Sequence, residues 1–193
     1  MVLEPKTRTG MPLEEFIAEF ERAPFELIDG EGRALMPPVA LRVYVISQLI
    51  EALIAYRIHR STGRFFTEST FVLMDVKNWV KDSRVPDIAY YAAARWEDYV
   101  VHMPDWGSKP LVLVPDLCVE VVSKNDKFSE VQQKVDLYLD DGVQQVWVIS
   151  PEDRSVLLYS AGEKAIKRLT SDDALTSPLL PEFSLPVSAI FPD

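Results

Sequence analysis

"LCVEVVSKND", residues 117–126, decides how the rest of the chain is read. Leu117, Cys118, Val119 and Val121 are apolar, and Glu120 sits among them. Such a run predicts a buried central strand, in which an uncompensated carboxylate is costly. Strand residues two apart share a face, so Cys118, Glu120 and Val122 look one way and Leu117, Val119 and Val121 the other. The earlier stretch "RVPDIAYYAAA" (84–94) reads as a second strand, with Pro86 at an edge or at the start of its pairing. Val85, Asp87, Ala89 and Tyr91 share one of its faces. If the two strands are neighbours with matched faces, Asp87 and Glu120 point into one space. There they must hold a proton or bind a cation. Oxygen ligands of this kind suit Mg²⁺ or Mn²⁺, with water and substrate phosphate completing the shell.

Downstream, "KFSEVQQKVDLYLDDG" (127–142) predicts a helix with Asp126 as its cap and Gly142 as its terminator. Phe128, Val131, Val135 and Tyr138 make its core-facing stripe. Lys134 borders that stripe, one turn from both Glu130 and Tyr138. From there an ammonium can extend past the sheet edge, to orient a water nucleophile or stabilise charge on phosphorus. Each residue also has a plainer role. Asp87 could end a strand or cap a turn. Glu120 could be an ion-paired core-border acid with Lys134 as its partner, and Lys134 could pair with Glu130 on a solvated face.

The flanking sequence supplies the frame. Residues 11–23 place Leu13, Phe16, Ile17 and Phe20 at helical spacing, and Asp29-Gly30 marks a hairpin turn. A long helix is expected over about 39–60, with Leu41, Val45, Leu49, Ala52, Leu53 and Tyr56 on its apolar face and "STG" (61–63) ending it. Strands are expected at about 64–68 and 70–75, and a loop over 95–110 with room for a short helix. "VQQVWVIS" and "RSVLLYSA" read as two further strands around the turn "PEDR", with Trp147 in the core. A proline-rich tail then wraps the surface. Helices, a run of strands, then strand–helix–strand give an α/β class: a mixed β-sheet flanked by helices, in one domain spanning 1–193.

Bulk properties narrow the function classes. The 193 residues are 48% hydrophobic with a formal net charge of −10, and no apolar run reaches membrane-spanning length. The opening "MVLEPKTRTGMPLEEF" has no apolar signal core, so a cytoplasmic protein is expected. One cysteine and two histidines exclude an intrachain disulfide and do not make a structural zinc set. Seven glycines, none clustered, give no phosphate-cradling loop. The negative charge argues against a broad basic grip on nucleic acid, although bound metal can supply positive charge locally.

"VPDIAYY", "PDLCVEVVSKND" and "KVDLYLDDGVQQVWVISPEDRSVLLY" together resemble the Uma2-like (DUF820) endonuclease family of the PD-(D/E)XK nuclease superfamily. "FELIDGEGRAL" resembles that family's N-terminal hairpin and "LTSPLLPEFSLPVSAIF" its closing segment, so the likeness covers nearly the whole chain. The resemblance implies a restriction-endonuclease-like core over about 39–160, with Asp87, Glu120 and the backbone carbonyl of Val121 as ligands of Mg²⁺ or Mn²⁺. It implies Lys134 as the catalytic lysine, taken from the helix because Val122 stands where the superfamily pattern has lysine. Tyr138 and Glu51 are accessory candidates. The implied reaction is attack of metal-activated water on a phosphodiester of nucleic acid, DNA first. A homodimer is expected on separate grounds, because cleavage of two strands favours two sites and two-fold pairs are the commonest oligomers. Two positions depart from the family: "ALR" (40–42) where a histidine is common, and Ser150 where an acid is common, with Asp153 shortly after.

Two other readings compete. A nuclease fold kept as a protein-interaction or regulatory module suits the acidic surface, the tryptophans and the proline-rich tail. A carboxylate-pair glycosidase would leave the lysine without a task. Convergence of Asp87, Glu120 and Lys134 is what separates the first reading from these.

Overall fold

The computed structural model describes residues 9–124 and 126–192. In chain order, β1 (Met11–Pro12) leads into α1 (Leu13–Arg22), and β2 (Phe25–Ile28) and β3 (Glu31–Ala34) form a hairpin before the long helix α2 (Ala40–Ile58). β4 (Gly63–Thr67), β5 (Phe71–Val76), β6 (Trp79–Arg84) and β7 (Ile88–Ala92) follow, and β7 runs directly into α3 (Ala93–His102). β8 (Leu117–Val121), α4 (Phe128–Asp140) and β9 (Gln145–Ser150) make the strand–helix–strand unit. β10 (Ser155–Ser160), β11 (Lys167–Leu169), β12 (Ala174–Ser177) and β13 (Leu180–Pro186) complete the chain, with short 3-10 turns at Trp106–Ser108 and Val187–Ile190. The class is α/β, with a six-stranded mixed sheet and four α-helices among the described residues. No helix among them is long and apolar enough to cross a membrane.

The chain divides into two compact units, and the first takes residues 9–36, 70–85 and 105–113. Its antiparallel sheet has the order β1-β6-β5, and its core gathers Phe16, Leu27, Val72 and Val80. The hairpin turn falls at Asp29-Gly30, where both residues have left-handed φ (52° and 82°), as a two-residue turn between twisted strands demands. Buried polar groups on and beside β6 tie this hairpin down. Asp82 accepts the Asp29 N–H at 2.7 Å and Ser83 Oγ the Leu27 N–H at 2.8 Å.

The second unit takes residues 37–69, 86–104 and 114–192. Its sheet has the order β11-β10-β9-β8-β7-β4, with β8 and β9 parallel and the other pairs antiparallel. β8 lies inside this sheet with all five residues buried. Leu117, Val119 and Val121 join Val45, Leu49 and Leu53 of α2, together with Trp147, Ile149 and Phe183, in one apolar core. That leaves Cys118 and Glu120 on the opposite face, over which α4 crosses between β8 and β9.

Several elements differ from the sequence expectation. The strand expected over 84–94 is two pieces: β6 ends at Arg84 and β7 begins at Ile88, so Asp87 stands just before the strand. Pro86 lies in the break, where its missing N–H costs no ladder bond. Residues 93–102 form α3, in keeping with the helix-forming Ala92-Ala93-Ala94 run. β6 was not foreseen, because Asp82, Ser83 and Arg84 are polar yet buried. The proline-rich tail forms the β12–β13 hairpin and buries Leu175, Leu180, Phe183, Val187 and Ile190 in the core, rather than only wrapping the surface. Asp126 does not cap α4; its carboxylate accepts the Ser123 N–H at 2.7 Å, and Lys127 is the N-cap residue.

A buried acid clasps the start of β8. Asp116 accepts the Ala92 N–H (2.8 Å), Arg95 Nη1 (2.8 Å) and Gln144 Nε2 (2.6 Å), while its carbonyl accepts the Gln144 N–H at 2.9 Å. Beside it Tyr90 donates its hydroxyl to the Thr62 carbonyl at 2.5 Å. Burial, with Asp116 adding to it, pushes the Tyr90 phenol up from 10.0 to about 12.

Two outcomes are expected. Asp116→Ala leaves the part-buried Ala92 N–H, the Gln144 amide and the half-exposed Arg95 without this acceptor, and lowers the stability measured by urea unfolding by about 2 kcal/mol. In alkali, an unfolded Tyr90 ionises from pH 10.0 while the folded phenol stays protonated to about 12, so stability falls with rising pH across that window. The urea midpoint of Tyr90→Phe, followed over the same window, falls less steeply than that of the wild type.

Candidate active site

In the antiparallel β7–β8 pair, Ile88 lies opposite Val119 and Ala89 opposite Cys118. One step further in the same register sets Asp87 opposite Glu120, on the face shared by Ala89 and Cys118. Both acids are buried, at 5% and 6% exposure. Asp87 is held from two sides: its Oδ2 accepts the Val121 N–H at 2.7 Å, and its carbonyl accepts the Glu68 N–H at 3.1 Å. Val121 therefore meets Asp87 through its amide.

Glu120 finds its partners on α4. The Tyr138 hydroxyl donates to Oε1 at 2.5 Å, and Lys134 Nζ lies 3.1 Å from the same oxygen. Lys134 and Tyr138 are four residues apart, so one helix face delivers both, and the ammonium lies 5.9 Å from the tyrosine ring centroid. The end of α4 fixes Tyr138 further. Val143 N–H donates to the Tyr138 carbonyl at 3.0 Å and Gly142 N–H to that of Leu139 at 3.1 Å, a Schellman closure that the left-handed φ of Gly142 (104°) permits. Glu130, the other candidate partner of Lys134, is engaged by Lys127 at 2.9 Å.

The residue that sequence reasoning missed is Arg42. It lies on the first turn of α2, within the "ALR" that departs from the family pattern. Its Nε and Nη2 donate to Asp87 Oδ1 at 3.1 and 2.8 Å, and Nη2 lies 4.0 Å from Glu120 Oε2. Burial works against the arginine's charge, but Asp87, through charge and hydrogen bond, and then Glu120 and Asp126 hold the guanidinium pKa above its usual value. Charge counting could have found it: two facing buried acids call for two cations, and the sequence reading offered only Lys134. Of the other candidates, Glu51 is exposed. Nine residues after Arg42, it lies two and a half helical turns on, about 13 Å away and on the opposite side of α2. Ser150 donates to Asp153 at 2.9 Å within the β9–β10 turn.

These groups can do two things. Two hard carboxylates facing one another favour a cation between them, and their oxygens suit Mg²⁺ or Mn²⁺. Among the described residues no group of three or more His, Cys, Asp or Glu side chains converges. An ion here would rest on Asp87 and Glu120, with backbone carbonyl and water completing its shell. The donor chemistry fits, and the cation facing both acids in this structure is the Arg42 guanidinium.

A crystal structure from Anabaena variabilis ATCC 29413, described as "a putative nuclease belonging to DUF820", matches this chain with a TM-score of 0.73. The two are 19% identical over 93% of this chain and 97% of that one, a likeness that shows the fold. No protein of curated description matches the chain. The profile of the Uma2 family, described as "Putative restriction endonuclease", matches residues 13–188. With nearly its whole length so matched, the chain belongs to the Uma2 family.

Proposed function

We propose that this chain is a Mg²⁺- or Mn²⁺-dependent endonuclease that hydrolyses phosphodiester bonds in DNA. The observation that carries the reading is the meeting of buried Asp87 and Glu120 with the half-buried Lys134 in one cluster, within a family of nuclease description. Asp87, Glu120 and the Val121 carbonyl would hold the ion, which supplies Lewis-acid activation of water and stabilisation of the leaving oxygen. Lys134 and the Tyr138 hydroxyl both bond Glu120 Oε1, and so orient its other oxygen. The Lys134 side chain is 23% exposed, so its ammonium can meet a phosphate oxygen while still touching Glu120. The net charge of −10 makes affinity for DNA modest and steeply dependent on salt. Cleavage of both strands suits a homodimer, acting in the cytoplasm.

One observation favours a second reading, a nuclease fold retained as an interaction or regulatory module. Arg42 and Lys134 already balance the charges of Asp87 and Glu120, so the cluster is satisfied by protein groups alone.

Relaxation of supercoiled plasmid with added Mg²⁺ or Mn²⁺ separates the two. The expected result is nicking by the wild type that falls at least about a hundredfold in both Glu120→Gln and Lys134→Ala. Equal nicking by all three proteins would reject the nuclease reading.

A further inference from the structure

We propose that Arg42 is an exchangeable counter-ion, which competes with a divalent cation for Asp87 and is released when the cation binds. This inference rests on the metal-dependent reading above. Asp87 Oδ1 takes two hydrogen bonds from Arg42, and the nitrogen at 2.8 Å from it is also the one 4.0 Å from Glu120 Oε2. The guanidinium thus faces both acids at once. An oxygen bonded twice to a guanidinium cannot also sit about 2.1 Å from an ion, the distance a Mg²⁺ shell requires. With Oδ2 engaged by the Val121 N–H, Oδ1 is the oxygen the two cations contest.

Charge leads to the same exclusion. Asp87 and Glu120 contribute two negative charges, and Arg42 and Lys134 two positive ones. A divalent ion added to these four groups would leave two net positive charges, which Asp126, the remaining acid acting on Arg42, offsets only in part. Removing Arg42 leaves one, which a single phosphodiester cancels. The released arginine stays beside the site and is a fork-shaped donor suited to phosphate.

The fold provides for the movement. Arg42 is on the first turn of α2, where no side chain caps the helix. Its side chain is 26% exposed, and its neighbours Val39, Val43 and Tyr44 are exposed as well. Lys134 and Tyr138 approach Glu120 from α4, through bonds that do not involve Asp87.

Mn²⁺ binding, followed by paramagnetic resonance titration without nucleic acid, tests this on the wild type, Arg42→Ala, Arg42→Gln and Asp87→Asn. Gln keeps an N–H for Asp87 without the charge, so it stands in if the Ala variant unfolds. Removal of Arg42's charge is expected to tighten Mn²⁺ binding at least about tenfold, with a larger rise in melting temperature on adding Mn²⁺. Asp87→Asn is expected to bind none. Binding by the Arg42 variants no tighter than the wild type's, but lost in Asp87→Asn, would overturn the counter-ion role and leave the metal site standing. Absence of Mn²⁺ binding in every protein would overturn both.

Discussion

A carboxylate buried on an inner strand costs several kcal/mol unless other groups compensate it, and Glu120 is such a carboxylate with Asp87 facing it. Around that pair the second unit makes particular choices. α4 crosses above β8 and ends in a fixed Schellman turn, so Tyr138 and Lys134 arrive together at Oε1. α2 begins where its first turn can bring a guanidinium to Asp87. The other face of β8 carries no such burden, and packs Leu117, Val119 and Val121 into an apolar core with α2 and the C-terminal hairpin. One strand thus separates a dry, apolar layer from a charged one.

Much of this was written in local patterns. The alternation in "LCVEV" identifies the strand and its two faces, and the stripe of α4 puts Lys134 at the border, because both follow from periodicity alone. The Asp29-Gly30 turn and the helix stop at Gly142 were legible because few residues adopt left-handed φ readily. Where patterns are absent, the reading went astray. β6 hides behind Asp82, Ser83 and Arg84, whose burial depends on distant backbone partners such as Leu27 and Asp29. The tail looks like surface because of its prolines, yet Leu175, Leu180 and Phe183 pair into a hairpin and enter the core.

Arg42 was invisible for a related reason. It is 45 residues from Asp87 in the chain, and nothing around it in "ALRVY" marks it as other than a surface arginine at a helix start. Only the register of β7 against β8, the placement of α2 over the sheet and the sum of buried charges together single it out. Lys134 pairs with Glu120, while Glu130 pairs with Lys127.

Tyr138 and Lys134 reach Glu120 from the helix that follows its own strand, whereas the guanidinium on Asp87 comes from elsewhere in the chain. This separates what can drift from what cannot. The crossover unit ties its strand to its helix through Glu120. Position 42 is a socket on the outside of that unit, able to exchange arginine for a neutral or titratable residue in a single mutational step. A change at position 42 can therefore alter the charge beside Asp87 while leaving the strand, helix and turn as they are.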